Sequence, residues 1–405
     1  MALYFLNNEC IHSHWGCTES MTRLFGYSNP ESKPMAELWM GAHPSASSSI
    51  DVDGEKVLLK DIISSQPELY LGADASACFE ERLPYLFKVL SARTPLSIQC
   101  HPDKTQAIEG WKRENQLNIP LNAPHRTYKD NNHKPELVYA LTPYKALNGF
   151  RPIAEIVSLW QGLKLTDSGL SQQLDKLMAL NSSAGLEAFY QYLMTMREPA
   201  AFVHKVVESC IVALDSTALT STQKEAYQLL LLLNEYYEDD IGVLSGLLLN
   251  YVVLKPGEAM FLKARTLHAY LSGTALELMA NSDNVIRGGL TPKFVNIEEL
   301  MQTVSFEPLH SEQIKFPSAV SGPFEAYQVP ARDFKLTIAS IGLEVVEYCS
   351  SQADILFVIE GSVQVIVSVE ETLTLQLGES CFVPACTNQY QLQGAGKVAI
   401  ASCGL

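Results

Sequence analysis

The chain is short of basic residues, and this shortage excludes several classes of partner. It contains 29 lysines and arginines against 45 aspartates and glutamates, which gives a formal net charge of −16 at pH 7. Nucleic acids and anionic membrane surfaces both require clustered lysine and arginine, so we expect neither as a partner. An anionic small molecule is compatible with this charge, because it needs only a few cations gathered in one place.

Long hydrophobic runs are also missing. The strongest run, residues 229–233, is too short to cross a bilayer. Residues 1–8 have no basic stretch followed by an apolar core, so we expect no signal peptide. The nine cysteines are scattered and form no C-x-x-C pair, which is typical of reduced thiols. We therefore predict a monomeric cytoplasmic protein without a membrane partner.

The hydrophobic pattern divides the chain into β-rich and helical parts. Residues 1–151 favour strands and loops, and short β-type runs separated by Gly and Pro resume at residue 247. Between them, apolar side chains recur at helical spacing, and Thr222 with Glu225 suggests a capping box for one of the helices. The fold class predicted is mainly β with an α-helical insertion.

An internal repeat indicates how the β-rich parts are arranged. Moving residues 254–273 forward by 121 positions matches eight residues and sets His268 on Gln389. Short strands with a repeated Gly-Glu turn are typical of cupin-like barrels or jelly rolls. We predict a discontinuous catalytic barrel (1–151 and 247–305), an all-helical insertion (152–246) and a C-terminal cupin-like barrel without metal (306–405).

Three polar clusters carry candidate metal ligands. Gln99 and His101 are two residues apart, so an extended strand turns both side chains to one face. Glu136 ends the second cluster, and His268 begins the third. Two imidazoles, a carboxylate and an amide oxygen suit zinc and leave room for a water or substrate oxygen. Spacing alone leaves open whether these residues bind a metal ion or are ordinary strand residues.

The second and third clusters also contain acid-base and cationic candidates. Glu277 lies among apolar residues, where a carboxyl group would have a raised pKa suited to proton transfer, although an exposed strand charge is the alternative. Arg287 precedes two glycines and Lys293 follows, so the pair would suit a phosphate, with a solvated loop as the alternative. Lys134, beside the proposed metal, is a candidate to contact a substrate hydroxyl or move a proton.

These clusters resemble the two signatures of the type I mannose-6-phosphate isomerase family. The first signature comprises Tyr128, Asp130, Asn132, His133, Lys134, Pro135 and Glu136. The second comprises His268, Ala269, Tyr270, Leu271, Gly273, Glu277, Met279, Ala280, Ser282, Asp283, Asn284, Arg287, Gly289, Thr291, Pro292 and Lys293. Residues 97–104 and 36–44 are similar to two further segments of the family, so the resemblance covers nearly the whole chain.

The resemblance implies an enzyme with one zinc ion per chain that interconverts mannose 6-phosphate and fructose 6-phosphate. It assigns the zinc ligands to the four residues reached above, Gln99, His101, Glu136 and His268. Arg287 matches the catalytic arginine of the family, and four residues match positions around the substrate: Ser97, Lys134, Glu277 and Lys293. Glu277 is the preferred base, with Lys134 or a zinc-held water as its rival.

Two other functions remain open from the sequence. A cupin that binds a sugar phosphate without catalysis would need the metal site but not Glu277 together with Arg287. A metal-dependent oxygenase favours two histidines and one carboxylate with open positions, and the additional ligand Gln99 makes this chemistry less natural. A coupled assay for fructose 6-phosphate, with and without chelator, separates these functions from the isomerase.

Overall fold

Two large antiparallel sheets dominate the computed structural model, which describes residues 3–52 and 54–405. The ten-stranded sheet contains Glu9–Ile11, Glu37–Met40, Tyr85–Ala92, Ile98–Cys100, Glu136–Ala140, Tyr144–Phe150, Leu249–Leu254, Ala259–Leu262, His268–Ala280 and Ile286–Gly289. The nine-stranded sheet contains Tyr4–Phe5, Ala319–Ser321, Phe324–Tyr327, Lys335–Ile341, Val346–Cys349, Asp354–Ile366, Thr372–Gln376, Ser380–Val383 and Gln389–Ser402. Two hairpins pair Ala42–His43 with Ala46–Ser47 and Ser49–Val52 with Glu55–Leu58.

Six of the twelve α-helices in the described residues, together with one 3-10 turn, are inserted between two strands that pair with each other, Tyr144–Phe150 and Leu249–Leu254. The inserted helices are Ile153–Gly162, Ser168–Leu180, Ser183–Met194, Pro199–Leu214, Ser221–Tyr236, the 3-10 turn Ile241–Leu244 and Ser245–Leu248. The chain therefore leaves the sheet and returns to it, which confirms the prediction of a mainly β fold with a helical insertion. Within the described residues, no helix is long and apolar enough to cross a membrane.

The remaining helices are short, except for one. They are Ser20–Phe25, Leu59–Ser65, Pro67–Leu71, Ala73–Cys78, Lys104–Gln116, Ile297–Thr303 and the 3-10 turns Ser311–Gln313 and Ala385–Thr387. Ile297–Thr303 lies in a region predicted as β, and the Asn296 side chain caps its N-terminus by accepting from the Glu299 backbone N–H. Asn is a preferred N-cap, so this helix had a recognisable sequence signal.

The capping box predicted at Thr222 and Glu225 is wrong. The structure places it at Thr220 and Gln223, where each side chain bonds the backbone N–H of the other residue at 3.1 and 3.2 Å. Thr220 has extended backbone angles, whereas Ser221 already begins the helix. The same three-residue spacing occurs at both pairs, so the sequence motif alone did not identify the cap.

The predicted internal repeat is confirmed by the strand boundaries. Ala259–Leu262 and Ser380–Val383 are separated by 121 positions, and so are the starts of His268–Ala280 and Gln389–Ser402. The turn before each shorter strand contains a glycine at positive φ, 89° at Gly257 and 81° at Gly378. Glycine adopts this conformation at little cost, which explains why the residue recurs.

One buried apolar cluster joins the two sheets. The first sheet contributes Tyr85, Phe87, Val89, Leu276 and Leu278, the second contributes Leu336, Phe357, Phe382 and Ala401, and Phe334 joins them from just before the strand Lys335–Ile341. The Tyr85 hydroxyl also lies 3.1 Å from the Ala353 carbonyl oxygen and 2.8 Å from that of Ala401. The two sheets are therefore packed against each other through a continuous core.

Candidate metal centre and active site

Strand register brings three predicted site residues side by side. Gln99, in Ile98–Cys100, lies directly opposite His268 on one neighbouring strand and opposite Arg287 on the other. Directly opposed residues of antiparallel strands point to the same face, with Cβ atoms about 4.5–5.5 Å apart. His101 lies two residues beyond Gln99, just past the strand end. The sheet therefore supplies Gln99 and His268 to one surface and sets Arg287 beside them.

His101, Glu136 and His268 form a buried cluster in which one ligand atom of each residue lies within 4.8 Å of the others. His101 Nε2 lies 3.2 Å from Glu136 Oε1, and His268 Nε2 lies 3.5 Å from Glu136 Oε2. Among the described residues, no second group of three His, Cys, Asp or Glu side chains has this geometry. The structure thus assembles three of the four predicted ligands in one place, next to Gln99.

The ring orientation of both histidines is fixed by backbone carbonyls. His101 Nδ1 lies 2.7 Å from the Asn284 carbonyl oxygen, and His268 Nδ1 lies 2.8 Å from that of Thr266. A carbonyl oxygen only accepts, so Nδ1 carries the hydrogen and a neutral ring directs its Nε2 lone pair toward Glu136. Burial and the nearby Lys134 charge lower the pKa of His101 to about 4, which keeps this ring neutral at pH 7.

This arrangement fits a divalent cation. The lone pair of His101 Nε2 and the Glu136 carboxylate face each other as two acceptors, and His101 Nε2 is buried without a hydrogen-bond partner. A buried polar atom without a partner costs free energy, which a cation between these groups would recover. Two imidazoles and a carboxylate, with the Gln99 amide beside them, are a donor set that suits zinc.

Glu136 is ionised, and both of its carboxylate oxygens have an ion-pair or hydrogen-bond partner. Lys134 Nζ lies 2.9 Å from Glu136 Oε1, and the Tyr270 hydroxyl donates to Oε2 at 2.7 Å. Burial alone would raise the pKa of Glu136, but Lys134 and His101 hold this pKa well below its usual range. The structure therefore places Lys134 at the metal cluster, as the sequence suggested.

Glu277 is buried in the same sheet and pairs with a lysine. It lies directly opposite Lys88, whose Nζ is 3.1 Å from Glu277 Oε2 and 3.3 Å from Glu37 Oε1. Burial raises the pKa of Glu277, and the Lys88 charge opposes this shift. Glu136 and Glu277 thus have pKa values displaced in opposite directions, which is the pattern of acid-base sites. The exposed-strand alternative for Glu277 is excluded by its 3 % exposure.

Lys88 and Glu37 were not among the predicted site residues. Lys88 is the one charged residue of Tyr85–Ala92, a strand in which every residue is buried. Its Nζ lies 5.0 Å from the centre of the Trp39 ring, and Trp39 Nε1 donates to Glu37 Oε2 at 3.2 Å. A buried lysine requires a charged partner. A lone lysine in an apolar strand therefore indicated in the sequence that charged partners lie buried beside it.

Arg287 carries a half-buried guanidinium that makes no hydrogen bond or ion pair with the described residues. Burial lowers the pKa of Arg287. Such a cation is available for an anionic ligand. Ser97 lies two residues before Gln99, half-buried and directly before the strand Ile98–Cys100. Lys293 is exposed in the loop after Ile286–Gly289, so the structure does not bring Lys293 into the buried cluster.

A cavity of about 510 Å³ is lined by segments that adjoin site residues in the sequence, although none of the four proposed ligands lines it, nor do Lys134, Glu277 and Arg287. Its lining includes His43, Lys129, Asn131, Asn132, Ser282 and Asp283. Asn132 lies two residues before Lys134, and Asp283 precedes Asn284, whose carbonyl contacts His101. The volume falls in the range of about 300–1,000 Å³ that is typical of small-molecule sites. The cavity is therefore large enough for a small ligand, and its lining belongs to the same chain segments as Lys134 and Asn284.

Comparison with known proteins assigns both β-rich parts of the chain. Residues 3–153 match the family model "Phosphomannose isomerase type I, catalytic domain", and residues 327–403 match "Mannose-6-phosphate isomerase, cupin domain". Mannose-6-phosphate isomerase of Salmonella typhimurium is 42% identical over 395 residues, which cover 97% of this chain and 98% of that protein. The human mannose-6-phosphate isomerase is 35% identical, with 91% of this chain and 90% of that protein covered.

Solved structures agree with the sequence comparisons. A crystal structure of mannose 6-phosphate isomerase with zinc bound is 40% identical, covers 100% of both chains and has a TM-score of 0.91. A mutant phosphomannose isomerase from Salmonella typhimurium is 39% identical, with the same coverage and a TM-score of 0.92. Because the similarity extends over the whole length and includes both domains, the chain belongs to the type I phosphomannose isomerase family.

Proposed function

We propose that this protein is a zinc-dependent isomerase that interconverts mannose 6-phosphate and fructose 6-phosphate. The observation that carries the proposal is the buried His101, Glu136 and His268 cluster in a chain 42% identical to a mannose-6-phosphate isomerase along its length. A binding protein without catalysis would not need the buried pair of Glu277 and Lys88 beside that cluster. The catalytic function is therefore favoured over the binding function.

His101 and His268 would hold the zinc ion through Nε2, and Glu136 through its carboxylate. Gln99 would supply an amide oxygen, because it lies beside His268 on the same face of the sheet. Zinc in such a site acts as a Lewis acid that polarises the carbonyl and hydroxyl oxygens of an open-chain sugar. Tyr270 and the backbone carbonyls of Asn284 and Thr266 would keep the ligands in place.

Arg287 is the residue best placed to bind the negative charge of the substrate. Its guanidinium has no hydrogen-bond or ion-pair partner among residues 3–52 and 54–405, and Arg287 lies opposite Gln99 in the sheet. A planar guanidinium can donate two hydrogen bonds to one phosphate or to an enediolate. Ser97 would add a hydroxyl from directly before the strand of Gln99, and Lys293 would add a charge from the exposed loop.

Glu277 would transfer the proton. Isomerisation removes a hydrogen from the carbon beside the carbonyl group and returns it to the neighbouring carbon. A general base is most effective when its pKa lies near the working pH, and burial moves the pKa of Glu277 in that direction. Lys88 would stabilise the ionised form of Glu277, while Lys134 would orient a substrate hydroxyl or act as the alternative base.

We also propose the domain limits, the oligomeric state and the location expected from the sequence. The catalytic unit would comprise residues 1–151 and 247–305, the helical insertion 152–246 and the C-terminal unit 306–405. All nine cysteines are free, which supports the reducing environment of the cytoplasm.

The test is a coupled assay that measures fructose 6-phosphate formed from mannose 6-phosphate. We expect activity in the zinc-loaded protein, loss of activity on chelation and recovery when zinc is added back. Turnover should persist without oxygen, which excludes an oxygenase. A zinc-loaded, folded protein that forms no fructose 6-phosphate would overturn the proposal.

A further inference from the structure

A contact between the two family domains reaches the segment that carries Lys134 and Glu136. His133 Nε2 lies 2.9 Å from Asp333 Oδ2, although the residues are 200 positions apart. His133 lies within the matched catalytic domain, and Asp333 lies within the matched cupin domain. From this geometry we propose that Asp333 is a positioning residue, by which the C-terminal unit fixes the catalytic segment. The inference rests on the function proposed above.

The Asp333 carboxylate is held rigidly by its surroundings. Its side chain is 5 % exposed, and the next residue, Phe334, is fully buried in the core that joins the two sheets. The Gly404 backbone N–H donates to the Arg332 carbonyl oxygen at 3.1 Å. A Cβ added at Gly404 would lie 2.6 Å from the Ala331 carbonyl oxygen, so this segment and the end of the chain are in close contact. The backbone that carries Asp333 is therefore closely packed within the C-terminal unit.

The contact fixes both the tautomer and the orientation of the His133 ring. A carboxylate accepts hydrogen bonds, so Nε2 carries the hydrogen that Asp333 accepts. The His133 side chain is 27 % exposed, which shields the contact from most of the solvent. A shielded hydrogen bond to a charged group is stronger than an exposed one, so Asp333 holds the ring in one position.

The catalytic unit holds the other end of the same segment. Asn284 Nδ2 donates to the carbonyl oxygens of Asp130 and Asn132, at 2.9 Å each. The side chain of Ser282 donates to Asp130 Oδ1 at 2.8 Å. His133 follows Asn132 directly, and Lys134 follows His133. Residues 130–132 are thus fixed by the first unit and His133 by the second, just before the lysine that contacts Glu136.

Asp333 consequently gives the C-terminal unit a role in the reaction beyond stability. A displacement of His133 would move the backbone of Lys134, and with it the ammonium that lies 2.9 Å from Glu136 Oε1. Small displacements of catalytic groups are costly, with losses of up to about 100-fold for about 1 Å. The C-terminal unit thereby positions a catalytic group without touching the metal cluster.

The test compares four variants with the wild-type, zinc-loaded enzyme: Asp333→Asn, His133→Gln, the double variant and Tyr85→Phe. Tyr85→Phe is the matched control, because it removes another hydrogen bond between the two sheets without touching residues 130–136.

We expect Asp333→Asn to lower kcat about tenfold with little change in KM or zinc content. The double variant should be no slower than His133→Gln, because both changes break one contact. Tyr85→Phe should lower the melting temperature while kcat is retained.

A second measurement does not depend on activity. Long-range proton–nitrogen NMR spectra report the tautomer of each histidine ring, and the His133 signal is identified by its absence in His133→Gln. We expect the hydrogen on Nε2 in the wild type and a change of ring signal in Asp333→Asn.

Three results would overturn the inference: wild-type kcat in Asp333→Asn, effects that multiply in the double variant, or an unchanged His133 signal. Equal loss of kcat in Asp333→Asn and Tyr85→Phe at equal loss of melting temperature would also overturn it, because the contact would then be only structural. Inactive wild-type enzyme would instead refute the proposed function, and the NMR measurement would still test the role of Asp333.

Discussion

His268 and Gln389 begin equivalent strands of the two β-rich units, yet their surroundings differ. His268 is buried and faces Glu136, whereas Gln389 is exposed after the 3-10 turn Ala385–Thr387. The first unit buries Lys88, Lys134, Glu136 and Glu277 near this strand, with the half-buried Glu37 beside Lys88. The equivalent core of the second unit is apolar, with residues such as Val358, Val363, Leu375, Leu392 and Val398.

The two units share an arrangement of strands, but this arrangement does not determine whether charged or apolar side chains fill the interior. Burying a charge costs several kcal/mol unless another charge or hydrogen bond compensates it. In the first unit the buried carboxylates pair with cations, as Glu136 does with Lys134, Glu277 with Lys88 and Glu114 with Arg126. In the second unit the buried Asp333 faces His133, whereas hydroxyl groups of Ser350, Tyr390 and Ser402 surround the buried Asp354. The same strand pattern therefore supports either interior.

The largest effect is expected when His268 of the first unit is replaced by glutamine, the residue at the equivalent position of the second unit. His268→Gln places at position 268 the side chain that occupies position 389. The variant loses one of the two imidazole ligands, and a metal ion contributes several kcal/mol to such a reaction. We expect a loss of kcat of about 10³-fold or more, together with reduced zinc content by elemental analysis. A variant that retains zinc and near-normal turnover would contradict the assigned ligand.

A smaller effect is expected from Glu277→Gln, which keeps the shape of the side chain and removes its basicity. General acid-base groups contribute about 10²–10⁴-fold, so we expect kcat to fall by about 10²-fold or more. Exchange of the substrate hydrogen with deuterated solvent should fall with it, while zinc content and substrate binding persist.

Glu37→Gln is the matched control for that variant, because Glu37 pairs with the same Lys88 ammonium. We expect Glu37→Gln to reduce turnover less than Glu277→Gln does. Near-normal hydrogen exchange in Glu277→Gln would exclude Glu277 as the base and favour Lys134.

The smallest effect concerns Asp354, a buried carboxyl group of the second unit. Burial raises its pKa from 3.8 to about 6. Between these values the folded state retains a proton that the unfolded state has lost, so this group's contribution to stability falls as pH rises. The cost at neutral pH is about 2–3 kcal/mol at most, since each pKa unit corresponds to about 1.4 kcal/mol.

Asp354→Asn removes this dependence. We expect the melting temperature of the variant, relative to wild type, to rise by a few degrees between about pH 4 and pH 7. The exposed Asp175 provides the control, because Asp175→Asn should show no such trend. A constant difference between Asp354→Asn and wild type across this pH range would show that Asp354 has an ordinary pKa.

Much of the candidate site was visible in the sequence because its residues belong to short local patterns. Alternation in a strand predicts that Gln99 and His101 share a face, and the dense motifs around Glu136 and His268 supplied the other ligands. Lys88 was missed because its partners Glu37 and Glu277 lie on two neighbouring strands, 51 residues before it and 189 after it. The contact between His133 and Asp333 was missed for the same reason, since no local pattern links the two residues.

The sequence by itself determined the helical insertion and the repeated strand plan, and the resemblance of its motifs to the family assigned the four proposed ligands. These follow from periodicity, turn residues and local motifs, which act over a few positions. Only the tertiary structure decided that Gln99 lies between His268 and Arg287, that Glu277 pairs with Lys88 and that Asp333 reaches His133. Strand register and packing set these contacts, because the free energy of pairing a buried charge depends on which distant residue the fold brings beside it.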